Sequence, residues 1–176
     1  SRLDKAPAVI SDYLINIAKE IQDKAQIIIV GNGTEYLRIL QKAKECNSEI
    51  GHETVIMTGA RTDVNKFLSL ADIFVGVSRA ALEALSSEVP TILAGAEGYI
   101  GIFDDSNLNK SIETNFCCRG LENVAEELIK RDILTLLQKE KEEKEKLGIY
   151  GREIVQKYYS IEKMTDDSIR VYKDIL

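Results

Sequence analysis

IFVGVSRAALEALSSEVPTILAG, residues 73–95, decides the fold class. Ile73-Phe74-Val75-Gly76-Val77 is apolar at consecutive positions, the pattern of a strand buried on both faces. Ser78 is a capping type, and Ala80, Ala81, Leu82, Ala84 and Leu85 then recur at helical spacing. Pro90 precedes a second apolar run, Thr91-Ile92-Leu93-Ala94, closed by Gly95. Two fully buried strands joined through a helix form the repeating unit of a parallel sheet.

The alternation continues outward. Between Pro7 and Gln22, Val9, Ile10, Tyr13, Leu14, Ile17, Ala18 and Ile21 predict a helix, with Pro7 in its first turn. Ile27-Ile28-Ile29-Val30 predicts a strand ending at Gly31-Asn32-Gly33. Thr34 then caps a helix to about Glu45, with Tyr36, Leu37, Leu40 and Ala43 inward. Val55-Ile56-Met57 is the next strand, closed by Thr58-Gly59, and a helix starts at Thr62 or Asp63 and runs through Val64, Phe67, Leu68 and Leu70.

Downstream, Glu97 to Lys110 reads as a loop, a short strand is expected near Thr114–Cys117, and helices fill the remainder. Lys139–Lys146, KEKEEKEK, predicts a solvated helix face with Glu140–Lys144 and Glu142–Lys146 pairs. Gly148 and Gly151 are expected to break that helix. An amphipathic tail follows, with Ile154, Val155, Tyr158, Tyr159, Ile161, Met164, Ile169, Val171 and Tyr172 on its apolar side. The expected architecture is one α/β domain over residues 1–176, a Rossmann-like parallel sheet flanked by helices with a helical C-terminal tail. Right-handed crossovers place the loops after strands on one sheet edge, where ligands bind. The candidate site therefore lies at residues 31–33, 58–63, 77–83 and 95–101.

Composition excludes several classes. The 176 residues are 44% hydrophobic and 30% charged, and 23 Lys+Arg against 29 Asp+Glu give a net charge of −6. That balance argues against a general nucleic-acid or anionic-membrane surface. No apolar run approaches the ~18–20 residues of a bilayer span, and Ser1 opens directly into folded-looking sequence without a signal peptide. Cys46, Cys117 and Cys118 have neither disulfide-framework nor zinc spacing, which fits a reducing cytoplasm. The sole histidine, His52, sits in a polar stretch and reads as an exposed loop residue. Asp104-Asp105 and Asp166-Asp167 lack D-x-D spacing; a turn and a helix cap explain them.

Two loops carry chemistry. Gly31-Asn32-Gly33 follows a strand and opens a helix, so free N–H groups there can seat a phosphate. A full G-x-G-x-x-G fingerprint is absent, because Tyr36 occupies the third glycine position. In Val77–Ala84 a helix N-terminus, worth about half a positive charge, lies beside the full charge of Arg79. Glu83, one turn on, is placed to accept hydrogen bonds from sugar hydroxyls; the plain alternative is a surface Arg79–Glu83 ion pair. Around Asn115–Gly120, Phe116 and Cys117 read as core, as a free cysteine packs like a small hydrophobe.

Ala71-Asp72-Ile73-Phe74-Val75, Ala81-Leu82-Glu83-Ala84-Leu85 and Val89-Pro90-Thr91-Ile92 together resemble the "ADvfv…LEAmaxGvPvI" core of group 1 (family 4) retaining glycosyltransferases. These are enzymes of the GT-B fold, and the match is to their C-terminal, donor-binding half. Ser1-Arg2-Leu3 resembles the "GRL" opening that half, Val30-Gly31-Asn32-Gly33 its "VGdG" turn, and Met57-Thr58-Gly59 its "flG" strand end. The resemblance implies a nucleotide-diphospho-sugar donor, hexosyl transfer with retention, and no cofactor or obligatory metal. It places Arg2, Lys5, Ser78 and Arg79 at the donor diphosphate, and Gly31, Gly33, Thr58, Gly59, Arg61 and Glu83 around the nucleotide. Gly98 and Tyr99 fall at the donor sugar.

The sequence also departs from that family. Pro7 stands where a lysine usually follows the arginine by five residues, with Lys5 displaced nearby. Val77-Ser78-Arg79-Ala80 replaces the "PSxxEGFG" segment, leaving Glu83 as the only one of the paired glutamates, and Glu97–Gly101 replaces "GGxxE". The family's first strand of this half precedes the arginine. The resemblance implies that the acceptor, a glycan, lipid-linked sugar or cell-envelope polymer, is held by an N-terminal domain, with the tail from about residue 140 contacting it. It also implies that this half alone does not turn over. The setting would be cytoplasmic, at most peripheral to the inner membrane face. A GT-B sugar-nucleotide epimerase and a non-catalytic nucleotide-binding regulatory module are the alternative readings.

Overall fold

A computed structural model describes residues 2–175; Ser1 and Leu176 lie outside the described residues. Strands and helices alternate as β1 (Ile27–Val30), β2 (Val55–Gly59), β3 (Phe74–Gly76), β4 (Thr91–Gly95) and β5 (Gly98–Ile102), with α1 (Ala8–Ile21), α2 (Tyr36–Ile50), α3 (Val64–Leu68) and α4 (Ser78–Ser86) in the same stretch. After β5 come a short 3-10 turn at Asp105–Asn107 and α5 (Leu108–Glu113), α6 (Glu126–Gln138), α7 (Lys141–Tyr159) and α8 (Ile161–Ile175). β1 pairs with β2 in parallel, and β3 pairs with β4 in parallel; β5 returns antiparallel to β4. The strands therefore form a two-stranded and a three-stranded sheet.

One core joins the two sheets. Ile15, Ile17, Ala18 and Ile21 on α1 pack with Ile27, Ile29 and Val55 of one sheet and with Ile92 and Ala94 of the other; Ile39 and Ala43 on α2, and Ile129, Ile133 and Leu136 on α6, close the cluster. Each fully buried aliphatic side chain contributes about 1.5–3 kcal/mol. A second cluster lies under α4 and α7, where Phe103 lies tilted against Phe116 (5.4 Å) and stacks on Tyr150 (5.7 Å), and Phe116 meets Tyr159 edge-on (5.6 Å).

The α/β parallel architecture stands, with several local corrections. Residues 97–110 are not a loop: Gly98–Ile102 pairs back on β4 through the two-residue turn Ala96-Glu97. No strand forms at 114–117, because Asn115, Phe116 and Cys118 take left-handed φ values of 51°, 57° and 61°. Phe116 and Cys118 are the buried residues there, and Cys117 is only partly covered. Leu37 is 76% exposed, since Ile39, Ala43 and Cys46 form the inward face of α2. Ser78 does not cap α4; Val77 precedes the helix, and Ser78 is its first residue with φ 60°. Asp104 caps the 3-10 turn as a turn residue should, whereas Asp167 lies inside α8, paired with Lys163.

The glycines at 148 and 151 do not break a helix. Both lie inside α7, buried against the end of α4: a Cβ on Gly148 would overlap the Glu88 carbonyl, and one on Gly151 would meet Leu85. Glycine is present so that two helices can approach backbone to backbone. On the outer face of α7 the ion pairs are Lys139–Glu143 and Lys141–Glu145. Glu140 is used instead as the helix cap, its side chain accepting from the Glu143 N–H. Gly148→Ala raises intrinsic helix propensity by about 1 kcal/mol, yet overpacking against Glu88 costs about 1–3 kcal/mol. The expected result is a lower urea midpoint with an unchanged denaturant slope.

Candidate functional site

Each parallel strand ends in a loop that carries candidate residues. β1 runs into Gly31-Asn32-Gly33, and the Gly31 N–H donates to the Gly59 carbonyl at the end of β2 (2.9 Å), joining two of the expected loops. Leu3 crosses above Gly33 so closely that any Cβ there would strike the Leu3 backbone. The Leu3 N–H donates to the Asn32 carbonyl (3.0 Å), and the Thr34 N–H approaches an Asp4 carboxylate oxygen (3.3 Å). Arg2 and Lys5, both exposed, therefore flank this turn.

Near the end of β2, Thr58 is half-buried, its hydroxyl donating to the Gly59 carbonyl (3.1 Å). Arg61 forms a fork onto Asp63, with Nε–Oδ1 and Nη2–Oδ2 both 2.9 Å, and its guanidinium sits 5.5 Å from the centre of the Phe67 ring. The hydrogen-bonded Asp63 raises the Arg61 pKa further above its ordinary value. Ala60, Arg61, Thr62 and Asp63 line a shallow open recess. The Arg61 charge is thus already matched by a carboxylate, leaving the planar guanidinium–Phe67 surface as what this loop presents.

The third loop is braced by strain. Ser78 donates its N–H to the Phe116 carbonyl (2.7 Å), so two left-handed residues from distant segments hold each other. Such conformations cost about 1–2 kcal/mol each for residues with a Cβ, and they persist because the buried Phe116 ring is packed against Phe103 and Tyr159. This brace aims the first turn of α4 outward. Arg79 is exposed there and, among the described residues, makes no ion pair; Glu83, one turn later, is exposed and likewise not paired with it. The plain alternative of a surface Arg79–Glu83 salt bridge is therefore absent. The segment 114–121 that closes over this helix start was invisible in the sequence as a partner of Ser78, although Asn115 and Gly120 are residue types that tolerate left-handed turns.

Near β5 the expected sugar-binding residues behave differently. Gly98 is buried beneath the Cys118 carbonyl, with no room for a side chain. Tyr99 turns inward, 4% exposed, and its hydroxyl donates to the Asp132 carboxylate while accepting from Arg131 Nη2 (2.9 Å). A phenol committed to the core cannot also reach a donor sugar, so the side-chain role expected for Tyr99 is corrected to a structural one. Nothing in the sequence linked Tyr99 to Asp132, 33 positions further along the chain. Arg119 pairs with Glu97 over the β4–β5 turn (3.0 Å).

His52 is exposed between α2 and β2, at the amino end of β2, the edge opposite the loops above. No group of three or more His, Cys, Asp or Glu among the described residues is arranged to hold a metal ion. No helix among them is long and apolar enough to cross a membrane.

Comparison with known proteins agrees with this fold. The family model described as glycosyl transferases group 1 matches residues 2–139, and the chain belongs to that family. A curated relative, the N-acetyl-alpha-D-glucosaminyl L-malate synthase of Bacillus anthracis, is 24% identical over 95% of this chain and 42% of its own length. Two solved structures share the fold at a TM-score of 0.70 each. One is a variant of S. aureus TarM in complex with Fondaparinux, alpha-GlcNAc-glycerol and UDP (22% identity, 98% of this chain, 34% of that one). The other is HepE of Anabaena in complex with UDP (13% identity, 99% and 47%). The chain thus spans less than half the length of the relatives it matches, and it has the Rossmann-like architecture of one half of a GT-B glycosyltransferase.

Burial first, and then the Asp132 carboxylate, push the Tyr99 hydroxyl well above its ordinary pKa of 10.0. A group whose pKa is raised on folding contributes stability that is intact below the unfolded value and is lost as pH climbs toward the folded one. Stability is therefore expected to fall as pH rises beyond about 10. In Tyr99→Phe that alkaline decline is shallower, while stability at pH 7 drops by about 1–3 kcal/mol because Asp132 loses a buried donor. Urea titrations across pH 7–11 measure both effects.

Proposed function

We propose that this chain is the donor-binding half of a retaining glycosyltransferase that takes a nucleotide-diphospho-sugar and transfers its hexosyl group to a glycan, lipid-linked or cell-envelope acceptor. The observation that carries this reading is the free Arg79–Glu83 pair on the first turns of α4, within a chain that matches the group 1 family over residues 2–139. Solved structures of the same fold carry UDP in their complexes, which supports a uridine diphosphate donor.

In this reading the reaction breaks the bond between the sugar's anomeric carbon and the diphosphate, and the leaving group gains negative charge. Preorganised cations and N–H groups stabilise that charge most where water is excluded. Arg79, Ser78 and the open amides at the start of α4 meet the diphosphate from one side, and Arg2 and Lys5 from the other. Gly31 and Gly33 let the backbone approach the nucleotide, Thr58, Gly59 and Arg61 form the wall toward the base, and Glu83 accepts from the ribose hydroxyls. Gly98 borders the sugar through its backbone. The transfer is proposed to need neither cofactor nor metal, since these side chains supply the positive charge. The acceptor and the contact surface for α8 are assigned to a further domain, and a cytoplasmic setting fits both the free thiols and a nucleotide-sugar substrate. The position of His52 on the far edge disfavours an epimerase that needs an imidazole at the sugar.

Isothermal titration of the complete protein with UDP, GDP and ADP tests the reading. Binding of UDP is expected, and Arg79→Ala is expected to weaken it about 10- to 100-fold, as for loss of a charge-assisted hydrogen bond. Absence of binding by all three nucleotides would overturn it.

A further inference from the structure

Main-chain donors around the Gly31–Gly33 turn are spent within the protein. The Gly31 N–H donates to the Gly59 carbonyl (2.9 Å), the Glu35 N–H to the Leu3 carbonyl (2.8 Å) and the Tyr36 N–H to the Gly33 carbonyl (3.2 Å). The Gly33 N–H donates to the Asn32 side-chain oxygen (2.8 Å), and the Thr34 N–H to an Asp4 carboxylate oxygen (3.3 Å). These N–H groups are therefore not open to a phosphate. The Gly59 carbonyl is filled as well, since its two lone pairs meet the Gly31 N–H and the Thr58 hydroxyl. A ligand lying over the ends of β1 and β2 thus depends on side chains for its hydrogen bonds.

Tyr36 stands at this place with an uncommitted polar group. Its ring packs against the core shared by α1, α2 and both sheets, which fixes the direction of the phenol. The hydroxyl makes no hydrogen bond among the described residues. It is open to solvent, because Thr54 Oγ1 is the one side-chain oxygen or nitrogen among them that is both buried and unpartnered. The Tyr36 hydroxyl oxygen lies 3.7 Å from the point where a Cβ on Gly59 would stand. Gly59 has a φ of +72°, a left-handed conformation that favours glycine, so no side chain at 59 fills the space in front of the hydroxyl. Where a dinucleotide fingerprint carries its third glycine, this chain sets a phenol against the strand end that leads into Arg61.

We infer that the Tyr36 hydroxyl hydrogen-bonds the base of the bound nucleotide and so helps to select it. The inference rests on the donor-binding reading above, in which Thr58, Gly59 and Arg61 form the wall toward the base, and it supplies that wall with its hydrogen-bonding group. The Thr58 hydrogen is already given to Gly59, and the Arg61 fork is taken by Asp63. A phenol both donates and accepts, which suits a uracil edge bearing carbonyl oxygens and a ring N–H. A site that hydrogen-bonds one edge pattern discriminates against bases that leave the group unpaired.

Tyr36→Phe removes the oxygen and keeps the ring, so its urea midpoint is expected to match that of the unaltered protein. Isothermal titration of the complete protein with UDP is expected to show binding about 3- to 10-fold weaker in the variant, the loss of one hydrogen bond. Ribose 5-diphosphate, which keeps both phosphates and lacks the base, is measured by displacement of UDP, and its affinity is expected to be the same in both proteins. Equal UDP affinity in the two proteins would overturn the inference while leaving the donor-binding reading in place. An equal fold-loss for both ligands would also overturn it, because the hydroxyl would then act on the phosphates or through the fold. Failure of the unaltered protein to bind UDP, GDP or ADP would remove the donor-binding reading, and this inference with it.

Discussion

The apolar face of α1 is the contact on which the molecule depends. Ile15, Ile17, Ala18 and Ile21 lie over strands that do not hydrogen-bond to one another, and it is side-chain burial, not the ladder, that joins the two sheets into one core. Burial is non-directional and scales with the area removed from water, so it can span the break between sheets where hydrogen bonding cannot. α2 and α6 extend the same core sideways. The loops that carry candidate chemistry are held in relation to each other only because the strands beneath them share this cover.

Above that core, the site is shaped by close backbone approaches more than by side chains. Leu3 rests on Gly33, Gly31 bonds to Gly59, and Ser78 bonds to Phe116. The last of these stores strain: four left-handed residues with a Cβ, at positions 78, 115, 116 and 118, cluster where α4 begins. Strain of this sort gathers where geometry is needed for function, and its effect here is to leave Arg79 and Glu83 directed outward and unpaired. By contrast, Arg61, Arg119 and Arg131 are each satisfied by a carboxylate. That difference in pairing is what the proposed contact of Arg79 with a diphosphate rests on.

Elements whose signal is local were legible in the residues. The β-branched run Ile27–Val30 forms a strand with Ile27 and Ile29 buried, the stretch around Thr91–Ala94 forms one buried throughout, and the spacing of Ile17, Ala18 and Ile21 marks the inner face of α1. Placement of candidate loops after strands followed from chain order and crossover handedness alone. What escaped was whatever depended on a partner far along the chain. Gly148 and Gly151 look like helix breakers until Glu88 and Leu85 are seen against them. Tyr99 looks like a pocket residue until Asp132 takes its hydroxyl.

Composition and periodicity were sufficient for the layered α/β class, for the helical C-terminal region and for the segments that meet at the sheet edge, because consecutive burial and 3.6-residue repeats are properties of neighbouring residues. Tertiary structure alone decided the antiparallel return of β5, the left-handed brace from Phe116 to Ser78, and which arginines are neutralised. Those outcomes depend on the distance between atoms separated by tens of residues, a quantity that no local pattern encodes.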